Sequence, residues 1–427
     1  MPSSSADQNE LERTLGLLPA LAIGTGTMVG AGIFVFPGLA AGKAGPAAMF
    51  SFAIGAVVAL LVALPTSELA TAMPESGGGY FFVSRALGTL LGCMVGIGQW
   101  LGLVFASAFY LIGFGHYLSD LVRELGTGLP VSVVGLALGM AILLTGVSIT
   151  GTENTGDLQN WIVGSLLAIL AGFLGHGGLD ALGVFGRPQV PETFFPYGTM
   201  PVFSTAALVF TSYLGFVQIA TVAGEIKNPG RNLPRAMIGS VVLVGTLYVL
   251  TIFIGTSLLG DEQLAEMGET AVVNVGRSIA GTFGAAALLG GGLLATLSSA
   301  NASILSASRS IYALSRDDLV PDQVEQINRR YRTPHVALLL AGGPIMVLIL
   351  FGRVEVLAEV ASLLHLFMYG LICVALLVLR RTPPDGYAPS FRCPGHPVVP
   401  GLGALASFGL VAFMNPLSIA VGAGILL

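Results

Sequence analysis

Charge is what this 427-residue sequence has least of. Asp, Glu, Lys and Arg together make up 10% of it, against about 25% in an average soluble domain. With 54% hydrophobic residues and a mean hydropathy of +0.84, that shortage excludes a soluble globular fold and predicts an all-α integral membrane protein. Cysteine is scarce too. Cys93 and Cys373 lie in apolar runs and Cys393 in a loop, which makes neither a disulfide framework nor a metal centre. Residues 1–16 carry Ser3, Ser4 and Ser5 and then acids. They lack the basic start and cleavage site of a signal peptide, so a retained cytoplasmic tail is expected there. Neither H-E-x-x-H nor G-x-x-x-x-G-K-[ST] occurs, which argues against a zinc hydrolase and an ATP-driven pump. GTGTMVG, from Gly24, superficially resembles a dinucleotide loop, but its spacing is wrong and no strand precedes it. There is no repeated filter segment or acidic ring of a channel. No cofactor and no nucleic-acid partner is implied, and the lipid bilayer is the expected surrounding.

What the chain has in quantity is apolar runs. A bilayer core needs about 20 apolar residues per helix. On that rule spans are expected at about 17–42, 46–72, 86–118, 131–149, 157–175, 200–224, 236–259, 278–313, 336–352, 356–379 and 398–414. Pro416 to Leu427 is apolar to the last residue but too short to cross; a twelfth span cut short is expected, with a helix lying against the bundle as the other reading. With the N-terminus inside, 13 of the 18 basic residues, among them Arg85, Arg231, Arg309, Arg329, Arg332 and Arg380, fall on inner segments. That asymmetry predicts a cytoplasmic N-terminus in the cell membrane. The loop over 186–197, with Pro188, Pro191 and Pro196, has room for a short surface helix.

Two of these runs are poor membrane helices. Gly24 to Gly38, GTGTMVGAGIFVFPG, holds five glycines and a proline in fifteen residues, and these are the weakest helix formers. A backbone group freed in lipid costs several kcal/mol unless something binds it. A helix broken here therefore lines a cavity and offers its freed groups to a polar ligand; a packing face of small residues is the competing reading. The sixth run carries Thr211, Ser212, Tyr213, Gly215 and Gln218 in its middle. Interrupted spans at matching positions of two five-helix halves point to an inverted-repeat secondary transporter with its ligand at the midplane.

Four motifs give these runs a family likeness. They are GAGIFVFPG in the first span, SELATAMPESGGGYFFVSRALG after the second, GEIKNPGRNLPRA after the sixth and SSANASILSASRSIYALSRDDLVP through the eighth. In that order, and with YAPSFRCPGHPVVPGLGA before the eleventh span, the chain resembles the amino acid–polyamine–organocation transporters from about residue 13 to 420. The resemblance implies a leucine-transporter-type fold working by alternating access. Its first repeat would cover 17–175, its inverted second repeat 200–380, and two further helices 398–427.

The resemblance also places a site. The substrate carboxylate would meet the amides of Gly30, Ala31 and Gly32, at the positive N-terminal end of the outer half-helix. The ammonium would meet carbonyls near Thr27 and Met28 and near Phe210, Thr211 and Leu214. Phe105, Phe109, Phe210 and Tyr213 would form an apolar or aromatic wall. Many members carry a glutamate just after the sixth-span glycine. Here Gly215 is followed by Phe216, Val217 and Gln218, which favours neutral amino acids over a cationic amino acid or polyamine exchanger.

Coupling is left open between Na+ and H+. Some members place a lysine on the fifth span, where this chain has Leu166. Ser298 and Ser299, with carbonyls near Gly24 and Thr27, would make a hard-cation site, although paired serines also serve as interhelical hydrogen bonds. Among ionisable groups inside the spans His365, in the tenth, is the best proton-coupling candidate, with a satisfied interhelical histidine as the other reading. Glu68 and Glu225 lie at inner helix ends, where they are expected to pair with inner arginines and latch the cytoplasmic gate. No bound metal other than Na+ is implied.

Overall fold

A computed structural model describes residues 13, 15–73, 78–126, 130–150, 155–184, 190–191, 193–328, 330–331, 333–384 and 387–426, with side chains undescribed at 155–160. The first twelve residues of the expected tail, residues 74–77 with their proline and glycine, Arg187, Pro188, Arg329, Arg332 and Leu427 lie outside that set.

The described residues are mostly helical, and among them the only β pairing is an isolated bridge between Leu15 and Ile226. The first expected span is two helices, α1 (Leu17–Met28) and α2 (Ala31–Ala44), and α2 stops at Gly45, whose φ is 62°. Next come α3 (Ala48–Ala72), α4 (Gly79–Leu87), α5 (Thr89–Glu124), α6 (Val133–Thr150) and α7 (Thr155–Ala181). The sixth span is α8 (Met200–Val209), a 3-10 stretch over Phe210–Val217 and the single turn α9 (Gln218–Thr221). Then follow α10 (Pro229–Leu258), α11 (Asp261–Met267), α12 (Ala271–Arg316), α13 (His335–Phe351), α14 (Val354–Arg381), α15 (Val398–Val411) and α16 (Pro416–Leu426).

Several boundaries differ from the sequence reading: α5 and α7 run on to Glu124 and Ala181, and α10 starts at Pro229; at two others a glycine is involved. The run expected at 86–118 begins at Thr89, because Gly88 at φ 92° separates off α4, whose apolar side buries Tyr80, Phe82 and Val83. The run expected at 278–313 is α12, which starts at Ala271 and is interrupted at Ala280 and Gly281, where φ is −132° and 60°. In both places a glycine with positive φ turns the backbone while the apolar pattern runs on unbroken. Residues 193–199 form no helix; there Phe195 stacks on Phe50 with ring centroids 5.5 Å apart. α16 bends 118° from α15 and packs on α14, with Gly422 beneath Leu363.

Close helix approach holds the bundle together, as it must where lipid supplies no hydrophobic drive between helices. α5 packs along α12 and α14, and α10 along α1 and α3. At the α5–α12 seam a Cβ on Gly292 would lie 2.1 Å from the ring of Tyr117. The Tyr117 hydroxyl donates to the Phe34 carbonyl of α2 at 2.7 Å. At the far end of α12 the Leu319 N–H reaches the Leu314 carbonyl and the Asp318 N–H the Ser315 carbonyl, both at 3.0 Å. This is the two-bond termination that favours glycine at its left-handed position, yet Asp318 occupies it at φ 57°. Asp318→Gly should therefore stabilise the protein by roughly 0.5–1 kcal/mol, read as a higher melting temperature; a lower one would show that the Asp318 carboxylate contributes more than the strain costs.

Candidate functional site

The first break is short. α1 ends at Met28, Val29 leaves helical geometry at ψ 70°, and α2 starts at Ala31. The Gly30 N–H donates back to the Met28 carbonyl at 2.7 Å. This corrects one expectation, since the Gly30 amide is already used within the turn. The amides left without a helical acceptor are those of the first turn of α2, beginning with Ala31 and Gly32, and no side chain caps them. Gly30 contributes space instead: a Cβ there would lie 1.8 Å from Ser299 Oγ on α12.

The second break is a tightened helix rather than an open loop. Across Phe210–Val217 the 3-10 geometry turns carbonyls away from the helical ladder, and hydroxyls from neighbouring helices reach them. Tyr369 Oη on α14 donates to the Leu214 carbonyl at 3.2 Å. Tyr248 Oη on α10 is 2.6 Å from the Met28 carbonyl and 3.3 Å from that of Ser212, so one hydroxyl spans both breaks. The Met28 carbonyl thus accepts from both Gly30 and Tyr248, which leaves it no open lone pair for an ammonium. Buried backbone groups are seldom left unpaired, and the tyrosines are the nearest donors.

The breaks meet at Gly215. A Cβ there would come within 2.2 Å of Thr27 Oγ1 and 2.9 Å of the Met28 nitrogen. Thr27 Oγ1 turns back onto the carbonyls of Ile23 and Gly24, at 2.8 and 3.0 Å. The Gly24 carbonyl therefore already accepts a hydroxyl, while the Thr27 carbonyl faces the end of its helix. Ser299 Oγ has no hydrogen-bond partner although the residue is 2% exposed. Thr211 is fully buried, and its hydroxyl is likewise unpartnered. Ser298 is buried beside Ser299 on α12. No Asp, Glu, Lys or Arg side chain is bonded to either break among the described residues.

The aromatic residues divide. Phe210 packs against both Tyr213 and Tyr369, with centroids 6.2 and 6.0 Å away. Phe109 stacks on Phe36 of α2 at 4.8 Å, and Phe105 is buried on the same helix. Tyr213 points elsewhere: its hydroxyl donates to the Phe52 carbonyl of α3 at 2.8 Å, and its ring fills the space over Gly55. It anchors the 3-10 stretch to α3 instead of forming a wall.

His365 sits under Gly102 of α5, and its Nδ1–H donates to the Ala361 carbonyl of its own helix at 2.8 Å. It joins neither break. On α7, Leu166 is buried and Val163 lies against Gly26 of α1, so α7 meets α1 with apolar groups.

The two inner glutamates also part company. Glu68, its side chain 1% exposed, takes a bidentate fork from Arg380, the Tyr387 hydroxyl at 3.0 Å and the Cys393 N–H at 2.6 Å. It ties α3 to the linker after α14. Glu225 makes no ion pair among the described residues; its carbonyl accepts the Leu15 N–H at 2.9 Å, and the Lys227 N–H reaches the Leu15 carbonyl at 2.8 Å. The backbone, not the carboxylate, joins the chain there. A cavity of about 580 Å³ opens near these elements, between Arg13, Thr71, Arg231 and Ser390.

Sequence reasoning missed Tyr248 and Tyr369. The signal was present in GTLYVLT and LFMYGLI, because a phenol in the middle of an aliphatic span must find an acceptor.

Comparison with known proteins is consistent over the whole chain. A family model described as amino acid permease matches residues 15–424. A branched-chain amino acid permease of Bacillus subtilis (strain 168) is 30% identical over 424 residues, covering 96% of this chain and 90% of the relative. From the same organism, a methylthioribose transporter is 28% identical, with 94% and 88% covered. A serine/threonine exchanger, also from that organism, is 25% identical, with 94% and 91% covered.

Proposed function

Since this chain belongs to the amino acid permease family and carries amino acids across a membrane, we propose that it is a secondary active carrier for neutral amino acids, working by alternating access. Residues 17–175 and 200–380 form its two inverted repeats, and its N-terminus faces the cytoplasm at the cell membrane. The substrate carboxylate meets the Ala31 and Gly32 amides at the start of α2. The ammonium meets the Thr27 carbonyl and, by sharing it with Tyr369, that of Leu214. Phe105, Phe109 and Phe210 face the substrate side chain.

One observation carries this reading. Two interrupted spans touch at Gly215 and Thr27, with freed amides on one side, carbonyls on the other, and, among the described residues, no ionised side chain bonded to either. A ligand that brings its own positive and negative charge fits such a place, and a neutral amino acid is one. A cationic side chain would add a second positive charge to a site where Gly215 is followed by Phe216, Val217 and Gln218. The relatives are named for different cargoes, branched-chain amino acids in one and methylthioribose in another, so the fold alone does not choose the side chain.

The test is counterflow of radiolabelled neutral amino acids in proteoliposomes. Saturable exchange is expected; flux that rises linearly without saturating would overturn the carrier reading. Tyr248→Phe removes the one donor that spans both breaks. It should weaken half-saturation by roughly tenfold, the loss of one buried hydrogen bond, while the protein still purifies as a monodisperse species; an unchanged constant would show that the tie does not shape the site.

Sodium is the proposed coupling ion. Ser299 Oγ, unpartnered and buried beside the first break, is a ready hard oxygen donor. Ser298→Ala with Ser299→Ala should lose most of the sodium dependence of uptake. Uptake indifferent to sodium before and after the change would remove this coupling.

A further inference from the structure

α14 carries a buried carboxylate cluster at each end. Arg380, at the end where Glu68 lies, and Glu359, near the other, are separated by 21 residues, about 30 Å along a helix. The Glu68 cluster belongs to the long linker after α14. The Glu359 cluster has no part in the site described above, and its side chain is only 5% exposed.

Glu359 uses its two oxygens for different purposes. Oε2 accepts the Ser418 hydroxyl at 2.7 Å and the Asn415 N–H at 3.2 Å, both from the turn into α16. Oε1 lies 3.7 Å from Lys43 Nζ, in the last turn of α2. The two neutral donors hold the carboxylate in place whether or not the lysine is present. Lys43 is different, with 39% of its side chain exposed, so its ammonium can return to water at little cost. One half of this ion pair is fixed and the other is free to leave.

α2 is an element able to use that asymmetry. The break at Val29–Gly30 separates it from α1, and Gly45 at φ 62° ends it on the other side. Both are hinge positions, where a few residues absorb a change in φ and ψ. Over α2 lies the α11 segment, so close at Gly38 that a Cβ would sit 2.0 Å from the Gly268 carbonyl. In this structure α2 is thus packed tightly against that segment at the end away from Arg380.

We propose that Lys43 and Glu359 form an ionic latch that holds α2 in this packed position and so closes the end away from Arg380, with the turn into α16 as the fixed seat of the carboxylate. This rests on the alternating-access reading and adds what holds the end away from Arg380 closed. It also gives the turn into α16 a role: it sets the strength of the latch without touching the substrate.

The experiment places a cysteine at Ala41, fully buried on α2, in a chain whose Cys93, Cys373 and Cys393 are replaced by alanine. The protein is held in lipid nanodiscs, and its reaction with a charged maleimide is timed. Lys43→Met and Glu359→Gln should each raise the labelling rate by about two- to fivefold, as fits loss of one partly exposed ion pair. The double variant should label no faster than either single one, and Lys43→Arg should label like the parent. Lys43→Met changes a half-exposed side chain and so tests the latch even if Glu359→Gln fails to fold. An equimolar mixture of the neutral L-amino acids is added to the parent as a separate arm. If the mixture changes labelling but the latch variants do not, the latch is overturned and alternating access stands. Additive effects of the two single changes would also overturn it. If neither the mixture nor the variants change labelling, both readings fall.

Discussion

Gly30→Val is expected to lower substrate affinity by about a hundredfold or more while leaving a folded protein. The reason is steric. The first side-chain carbon at position 30 would lie 1.8 Å from Ser299 Oγ and 2.9 Å from Ser299 Cβ; rotation of the serine can carry Oγ away but leaves Cβ where it is. α12 cannot yield easily, because it is packed along α5, α7 and α13. The start of α2 must therefore move, and with it the Ala31 and Gly32 amides proposed for the carboxylate. A misplacement of about 1 Å in a positioned group can cost on the order of a hundredfold. Thermal shift of the purified variant separates the two effects: its melting point without ligand should stay near the parent's, and the rise given by a saturating neutral amino acid should vanish. Gly30→Ala should be nearly as damaging, and Ser299→Gly added to it should restore much of the binding by reopening the space. Unchanged affinity in Gly30→Val would mean that the amides of α2 do not hold the substrate.

The first break was legible because its cause is local. Glycines at 24, 26, 30 and 32 and a proline at 37 weaken a helix whatever surrounds it, and the chain leaves helical geometry at Val29 and Gly30. The second was legible only as a polar cluster. That Phe210–Val217 would tighten into 3-10 turns depends on Tyr213 reaching the Phe52 carbonyl and on Tyr369 reaching that of Leu214, contacts 161 and 155 residues away in sequence. For the same reason the carbonyls of Met28 and Gly24 looked open in the sequence and are occupied in the fold. A freed backbone group announces itself locally; its partner does not. Glu68 was readable as a buried acid that needs a cation, whereas Glu225, with the same charge at a similar helix end, is used through its backbone. The sequence reading left α4 as loop and put only its last two residues, Ala86 and Leu87, into the span that α5 forms, since the turn at Gly88 costs a glycine nothing and leaves the apolar pattern intact.

Glu68→Ala should be among the most destabilising single changes in the chain. Glu68 gathers four donors, from Arg380, Tyr387 and the Cys393 amide, and its removal leaves a mostly buried guanidinium without a counter-charge. Breaking one side of a buried pair costs about 3–5 kcal/mol. Arg380 is 21% exposed, so water recovers part of that, and about 3 kcal/mol is the expected loss. Glu68→Leu combined with Arg380→Met should lose less than Glu68→Ala alone, because no unpaired charge remains. Cys393 supplies a local reading of the same event. Burial, and after it the Glu68 carboxylate, push its thiol up to about 11, with Arg380 opposing. At pH 8 about one thiol in a thousand is then the reactive thiolate. Without Glu68 the linker loosens and the carboxylate is gone, so both raising causes weaken while the guanidinium still opposes them, and the thiol moves toward its ordinary 9.0. Alkylation of Cys393, followed by peptide mass spectrometry to separate it from Cys93 and Cys373, should accelerate by up to about a hundredfold. A lower melting point with unchanged Cys393 reactivity would place the damage elsewhere in the bundle. Loss of both the melting point and the protection would establish Glu68 as the residue that fastens the linker between α14 and α15 to α3.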